Sequence, residues 1–205
     1  MSVQGIDPLE KWTPPAEWPV RSRKDAAALL CAPGQPFEME MVEIDGVATR
    51  VWKNAAPSLA ALAELGRSHG DAEFLIFADE RVTYANWYRA VAALAVELQH
   101  MGVSKGDRVS LAMRNLPEWP VIFFAAASIG AIVVPLNAWW TDQELLFGLA
   151  NSETSVLLCD AERWDRVSAH LADLPELKHV IVARGQSELA QPARALEDII
   201  GKPND

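Results

Sequence analysis

The rhythm of apolar and polar positions changes twice along the chain. Residues 37–44 alternate apolar with acidic side chains apart from the Met41-Val42 pair, the period-two signature of a strand. Asp45-Gly46 tolerates positive φ, and residues 47–52 return, so the two runs predict a hairpin. Over 57–68 the spacing turns helical, with Leu59, Leu62 and Leu65 on one face of the predicted helix. From residue 71 short apolar runs alternate with longer amphipathic ones.

The short runs predict strands at 74–77, returning as 81–83 after Asp79-Glu80, and at 108–113, 132–134, 155–159 and 180–182. The 132–134 run reads as a buried strand, since no polar residue interrupts it. Thr83 is placed to cap a long helix reaching Met101, which buries Trp87 or Tyr88, Val91, Leu94 or Ala95, Leu98 and Met101. Gly102 ends it in the left-handed conformation. Pro117 begins a helix to about Gly130, and Thr141 caps another to about Asn151. Residues 162–171 and 191–200 are further predicted helices. Strands that alternate with helices, and that lack period-two patterning, predict an α/β fold: three layers, a mostly parallel sheet with helices on both faces, and a peripheral N-terminal β-hairpin.

Four segments follow. Residues 1–36 are an irregular Pro/Trp-rich arm (Trp12-Thr13-Pro14-Pro15, Trp18-Pro19) with a short helix over 24–31, because proline fixes φ and removes a donor. Residues 37–70 hold the hairpin and a helix, 71–185 the α/β subdomain, and 186–205 a polar tail with a helix.

Composition narrows the function classes. Of 205 residues half are hydrophobic, enough for a substantial core. The formal net charge is −10, and the densest basic stretch is Arg21-Ser22-Arg23-Lys24, so nucleic acid is excluded as a partner. The apolar stretch 121–136 is interrupted by Gly130 and Pro135 and is too short for a transmembrane segment. The first residues lack a basic region followed by an apolar run, so a cytoplasmic location is expected, with Cys31 and Cys159 as free thiols.

Recognisable chemistry is sparse. No Gly-x-Gly-x-x-Gly, Walker loop or Gly-x-Ser-x-Gly occurs, and His69, His100, His170 and His179 are scattered. No catalytic, cofactor-binding or metal-ligating residue is assigned.

A run of motifs nevertheless stands in a telling order. Thr83-Tyr84 opens the long helix, followed by Gly102-Val103 and Lys105-Gly106-Asp107-Arg108-Val109. Then come Arg114-Asn115-Leu116-Pro117-Glu118-Trp119 and Gly130-Ala131-Ile132-Val133-Val134-Pro135-Leu136-Asn137. This resembles the N-terminal portion of AMP-forming acyl-CoA synthetases, in the fatty-acid–CoA ligase branch of the adenylate-forming enzymes, over roughly residues 37–183. Taken singly, these residues shape turns and helix starts.

The resemblance implies a parent reaction in which carboxylic acid, ATP and CoA give acyl-CoA, AMP and pyrophosphate, with ATP, Mg and CoA as cofactors. It also implies that the phosphate loop, the nucleotide contacts and the catalytic lysine lie beyond Asp205. This chain alone is therefore expected to bind no cofactor and to be inactive. Its expected partner is the remainder of the enzyme, or a second copy through an exposed apolar face. A non-catalytic interaction module, or one half of a split acid–CoA ligase, is the alternative. Trp119, Trp139 and Trp140 are the candidate contacts with a partner or an acyl tunnel, against the alternative of packing at the end of the sheet.

Overall fold

The computed structural model describes residues 22–185, 189 and 191–201. The Trp12 and Trp18 arm and the last residues of the polar tail lie outside them. The chain divides into two compact units, Met1–Ala55 and Ala56–Asp205.

In the first unit, Ser22 caps helix α1 (Arg23–Leu30) by accepting from the Asp25 amide at 3.1 Å. Strands β1 (Met39–Ile44) and β2 (Val47–Trp52) pair antiparallel through Asp45 and Gly46, both at positive φ, the geometry that matches strand twist in a two-residue turn. Glu38 closes the unit: it accepts from Lys53 Nζ at 2.9 Å and from the Gly34 amide at 2.8 Å. The lysine contact holds the Glu38 carboxyl below the usual carboxylate range.

The second unit begins with helix α2 (Leu59–Gly66), a 3-10 turn (Arg67–His69) and a separate hairpin of β3 (Glu73–Phe77) and β4 (Glu80–Thr83). Helix α3 (Tyr84–His100) starts at Thr83, whose hydroxyl accepts from the Asn86 amide. It buries Trp87, Val91, Leu94 and Leu98, one stripe at helical spacing. There follow β5 (Arg108–Ala112), α4 (Glu118–Ser128), β6 (Ile132–Pro135), α5 (Asp142–Asn151), β7 (Val156–Asp160), α6 (Ala161–Val167), β8 (His179–Ala183), β9 (Ala193–Ala195) and α7 (Glu197–Ile200). The main sheet has five parallel strands in the order β6-β5-β7-β8-β9.

Alternation along these strands divides the core into two layers. Val109, Leu111, Val156, Leu158 and Ile181 pack with α3 and α4. Ala112, Leu157, Cys159, Val180 and Val182 pack with α5 and α6. The sheet is therefore covered on both faces, and each fully buried aliphatic side chain contributes about 1.5–3 kcal/mol relative to exposure.

Leu59, Leu62 and Leu65 share one face of α2, as the spacing predicts, and that face is exposed; the helix packs through Ala63. A Cβ at Gly66 would lie 3.2 Å from Trp87 Cζ3, so it is the small-residue face that approaches. Two expectations need correction. The 132–134 strand is not buried, because β6 pairs only with β5 at the edge of the order; Ile132 is 52% exposed. Residues 191–200 are not one helix, since Ala193–Ala195 pairs in parallel with β8 and only four residues, Glu197–Ile200, are helical. Backbone pairing with an existing sheet outweighs local propensity there. No described helix is long and apolar enough to cross a membrane.

Candidate functional site

In a parallel sheet all carboxyl ends meet at one edge. Here β6 and β7 flank β5 on opposite sides, so the strand order reverses at β5, the position where such folds form a crevice. A network of polar side chains lies at this edge.

Asp160 ends β7 and caps α6. Its Oδ1 accepts from the Arg163 amide at 3.1 Å, and its Oδ2 accepts from the Arg114 amide at 3.0 Å, tying the end of β5 to that of β7. The Arg163 side chain, only 2% exposed, pairs with Asp160 at 3.1 Å and with Glu162 at 2.8 Å. Its Nε donates to the Ala138 carbonyl at 2.8 Å, and one turn further Arg166 Nη1 donates to the Trp140 carbonyl at 2.5 Å. Two guanidinium forks on α6 thus hold the loop after β6.

That loop carries two of the three tryptophans singled out by sequence. Trp139 is 71% exposed, and the Arg114 guanidinium lies 3.7 Å from its ring centroid. Its amide donates to Asn137 Oδ1 at 2.9 Å. Cation and indole together form a stacking surface at the reversal point, worth about 0.5–1 kcal/mol where exposed. Trp140 is half-buried against the α5/α6 layer. Trp119 belongs to the opposite layer, stacked on Phe123 at 5.5 Å between centroids. The structure brings Trp139 and Trp140 onto one loop and places Trp119 elsewhere.

Trp140 also accounts for a glycine in mid-helix. A Cβ at Gly148 would meet Trp140 Cζ3 at 2.9 Å and Leu136 Cδ2 at 3.2 Å. Alanine would gain about 1 kcal/mol of helix propensity, but overpacking costs about 1–3 kcal/mol. We expect Gly148→Ala to be neutral to destabilising by about 2 kcal/mol and to change Trp140 emission. A thermal melt with fluorescence checks it; a gain of the full propensity term would show that the indole yields freely.

Beyond β8, Arg184 adopts positive φ and donates to three carboxylates. Its Nη1 and Nη2 reach Glu80 at 2.9 and 2.8 Å, its Nε reaches Glu118 at 2.8 Å, and its amide reaches Glu197 at 2.6 Å. The bond to Glu80 leads in raising its pKa further, so it stays charged. Burial pushes the Cys159 thiol up, so it is no nucleophile at neutral pH. Among the described residues no group of three His, Cys, Asp or Glu side chains is placed to hold a metal. The arrangement joins strand ends and presents a stacking surface; it assembles no nucleophile with its base.

Asp160, Arg163 and Arg184 were not singled out from sequence, and Glu118 stood there only as a member of the Arg114–Trp119 motif. Asp-x-x-Arg at a strand-to-helix junction was a readable signal for the first two. The pairing of Arg184 with Glu118, 66 residues apart, carried none.

The sequence matches the AMP-binding enzyme family over residues 62–203. It is 33% identical over 114 residues to a medium/long-chain-fatty-acid–CoA/3-oxocholest-4-en-26-oate–CoA ligase of Mycobacterium marinum, covering 56% of this chain and 21% of that protein. It is 33% identical over 156 residues to the acyl-CoA ligase sidI of Beauveria bassiana, covering 72% and 27%. The acetoacetyl-CoA synthetase structure from Streptomyces lividans superposes with a TM-score of 0.64 at 23% identity, over 88% of this chain and 30% of that one, a likeness of fold. The chain thus spans about a quarter of the length of these curated relatives.

Proposed function

Since the chain belongs to the AMP-binding enzyme family, we propose that it is the N-terminal α/β portion of a fatty-acid–CoA ligase. In the proposed parent reaction a carboxylic acid is activated by ATP, with loss of pyrophosphate, and passed to CoA. The family match over 62–203, coincident with the parallel-sheet unit, carries this reading. The relatives named above support the acyl-CoA ligase assignment, and the Mycobacterium marinum protein supports a fatty acid as substrate class.

Within this reading the chain contributes scaffold. Arg163 and Arg184 are already engaged by carboxylates, and no Gly-rich phosphate loop occurs in the sequence, so a nucleotide triphosphate does not fit the described residues. ATP, Mg and CoA are assigned to the remainder of the enzyme. The Arg114–Trp139 stack faces that remainder, while Trp140 packs into the α5/α6 layer. Trp119 is assigned to packing with Phe123. Exposed Leu59, Leu62, Leu65 and Ile132 are covered by the remainder, or by a second copy when the chain is alone.

Reconstitution is the test. The chain is co-expressed with the part of the Mycobacterium marinum ligase that follows its matched segment. The pair should co-elute and release pyrophosphate in an acid-, ATP- and magnesium-dependent way that neither part shows alone. A co-eluting, folded pair without release counts against the ligase reading and favours an interaction module.

A further inference from the structure

Strand β3 is bonded along one edge only. It pairs with β4 in a sheet of two strands, and among the described residues Glu73–Phe77 make no other backbone hydrogen bond. In an antiparallel pair successive residues alternate in the direction of their N–H and C=O groups, so part of the β3 set points away from β4. A row of such groups on an apolar strand is a template for a further strand, and folded proteins cover it.

An open groove of about 460 Å³ runs along that edge. Residues 74–77 all line it, and no residue of β4 does. Leu75, Ile76 and Phe77 stand opposite Val82, Arg81 and Glu80 in unbroken register, so they belong to both faces of the hairpin. A groove touched by both faces of β3, and by neither face of β4, lies beside the free edge of β3. Its other wall is Asn115, Leu116, Pro117, Trp119 and Pro120, from the turn before α4 and its first residues. The two prolines have no N–H, so donation to a backbone in the groove falls chiefly to β3.

The lining selects the occupant. None of these side chains carries a charge, and all but Asn115 are apolar. Ile76 is 63% exposed. Four strand residues span about 13 Å, the length of four residues of an extended segment. A helix bonds its own backbone and would leave the β3 groups without partners. Strand addition satisfies them, with main-chain bonds giving affinity and apolar side chains at alternate positions giving the fit.

We propose that an extended, apolar segment of the remaining ligase polypeptide adds to the free edge of β3 in this groove. The hairpin, which as two strands is marginal on its own, then becomes part of a larger sheet. The identity of the segment rests on the ligase reading: only 21% and 27% of the two curated relatives is covered by the match, so such proteins hold ample further polypeptide. Trp119 gains a contact with that segment in addition to its packing on Phe123.

The test is amide hydrogen exchange, read residue by residue, on the whole chain alone and in the co-expressed pair used for reconstitution. We expect the β3 amides that do not bond β4 to exchange about tenfold or more slowly in the pair. Ile76→Lys sets a charge on the edge from an exposed position; it should remove that protection and leave the thermal melt of the chain alone unchanged. A pair that co-elutes and releases pyrophosphate while β3 exchanges as in the chain alone overturns the strand addition and leaves the ligase reading intact. Protected β3 without pyrophosphate release does the reverse. Protection that appears in the chain alone and grows with concentration assigns the edge to a second copy, and overturns the proposal. Wild-type protection in Ile76→Lys, or a pair that does not co-elute, overturns it as well.

Discussion

The isolated chain is expected to form no acyl-adenylate and no acyl-CoA from short, medium or long carboxylic acids, with ATP, magnesium and CoA supplied. Activation of an acid by ATP concentrates negative charge on the phosphates as pyrophosphate departs. Donors must cradle those phosphates, a metal must spread the charge, and a cation must meet the leaving group. Arg163 and Arg184 are held by Asp160, Glu80 and Glu118, so their charge is already spent within the fold. Arg114, at the same edge, lies over Trp139. Loss of a single preorganised donor typically slows such a reaction about 10²- to 10³-fold. Loss of the whole set leaves no turnover above a blank. Pyrophosphate release and hydroxamate trapping read the result. Turnover that a substitution in this chain abolishes would overturn the assignment of the chemistry to the remainder of the enzyme.

Arg163→Ala is expected to cause the largest loss of stability of any single change at the candidate site. The substitution leaves Asp160 without its ion pair and frees the Ala138 carbonyl. Breaking a buried pair by removing one partner costs about 3–5 kcal/mol. For a chain of this size that lowers the melting temperature by roughly 10 °C or more. The same change unpins the loop, so Trp139 and Trp140 emission should alter before global unfolding. Arg163→Lys keeps the charge but cannot reach Asp160 and Ala138 together, and should fall between wild type and Arg163→Ala. A melt within 2 °C of wild type for Arg163→Ala, an arbitrary threshold of about half a kcal/mol, would mean that the pair contributes little beyond its own desolvation.

Which features the sequence determined follows from the range of the forces involved. Asp45-Gly46 between two alternating runs sets the β1–β2 turn, because the requirement for positive φ is local. Thr83 and Thr141 set helix starts, because a cap reaches only three residues ahead; Thr141 and Glu144 close a full capping box. The stripe Trp87, Val91, Leu94, Leu98 follows from helical geometry alone. Uninterrupted apolar runs between helices specify a covered parallel sheet, and the order of motifs from Thr83 to Asn137 carries the family.

Tertiary structure decided what depends on neighbours distant in sequence. Nothing within 132–135 says that β6 lies at an edge; that follows from where the later strands pair. The leucine face of α2 is more apolar than its small-residue face, yet the latter packs: Ala63 is buried, and Gly66 lies so close to Trp87 that a Cβ there would be 3.2 Å from Cζ3. Ala193–Ala195 becomes a strand because β8 offers an unpaired edge. The polar network at the carboxyl ends of the strands joins Arg184 to Glu80 across 104 positions and Arg114 to Asp160 across 46, and no local pattern encodes such partners. Short-range sterics and capping fix each element, whereas the pairing of buried charges is fixed by the sheet order that brings strand ends together.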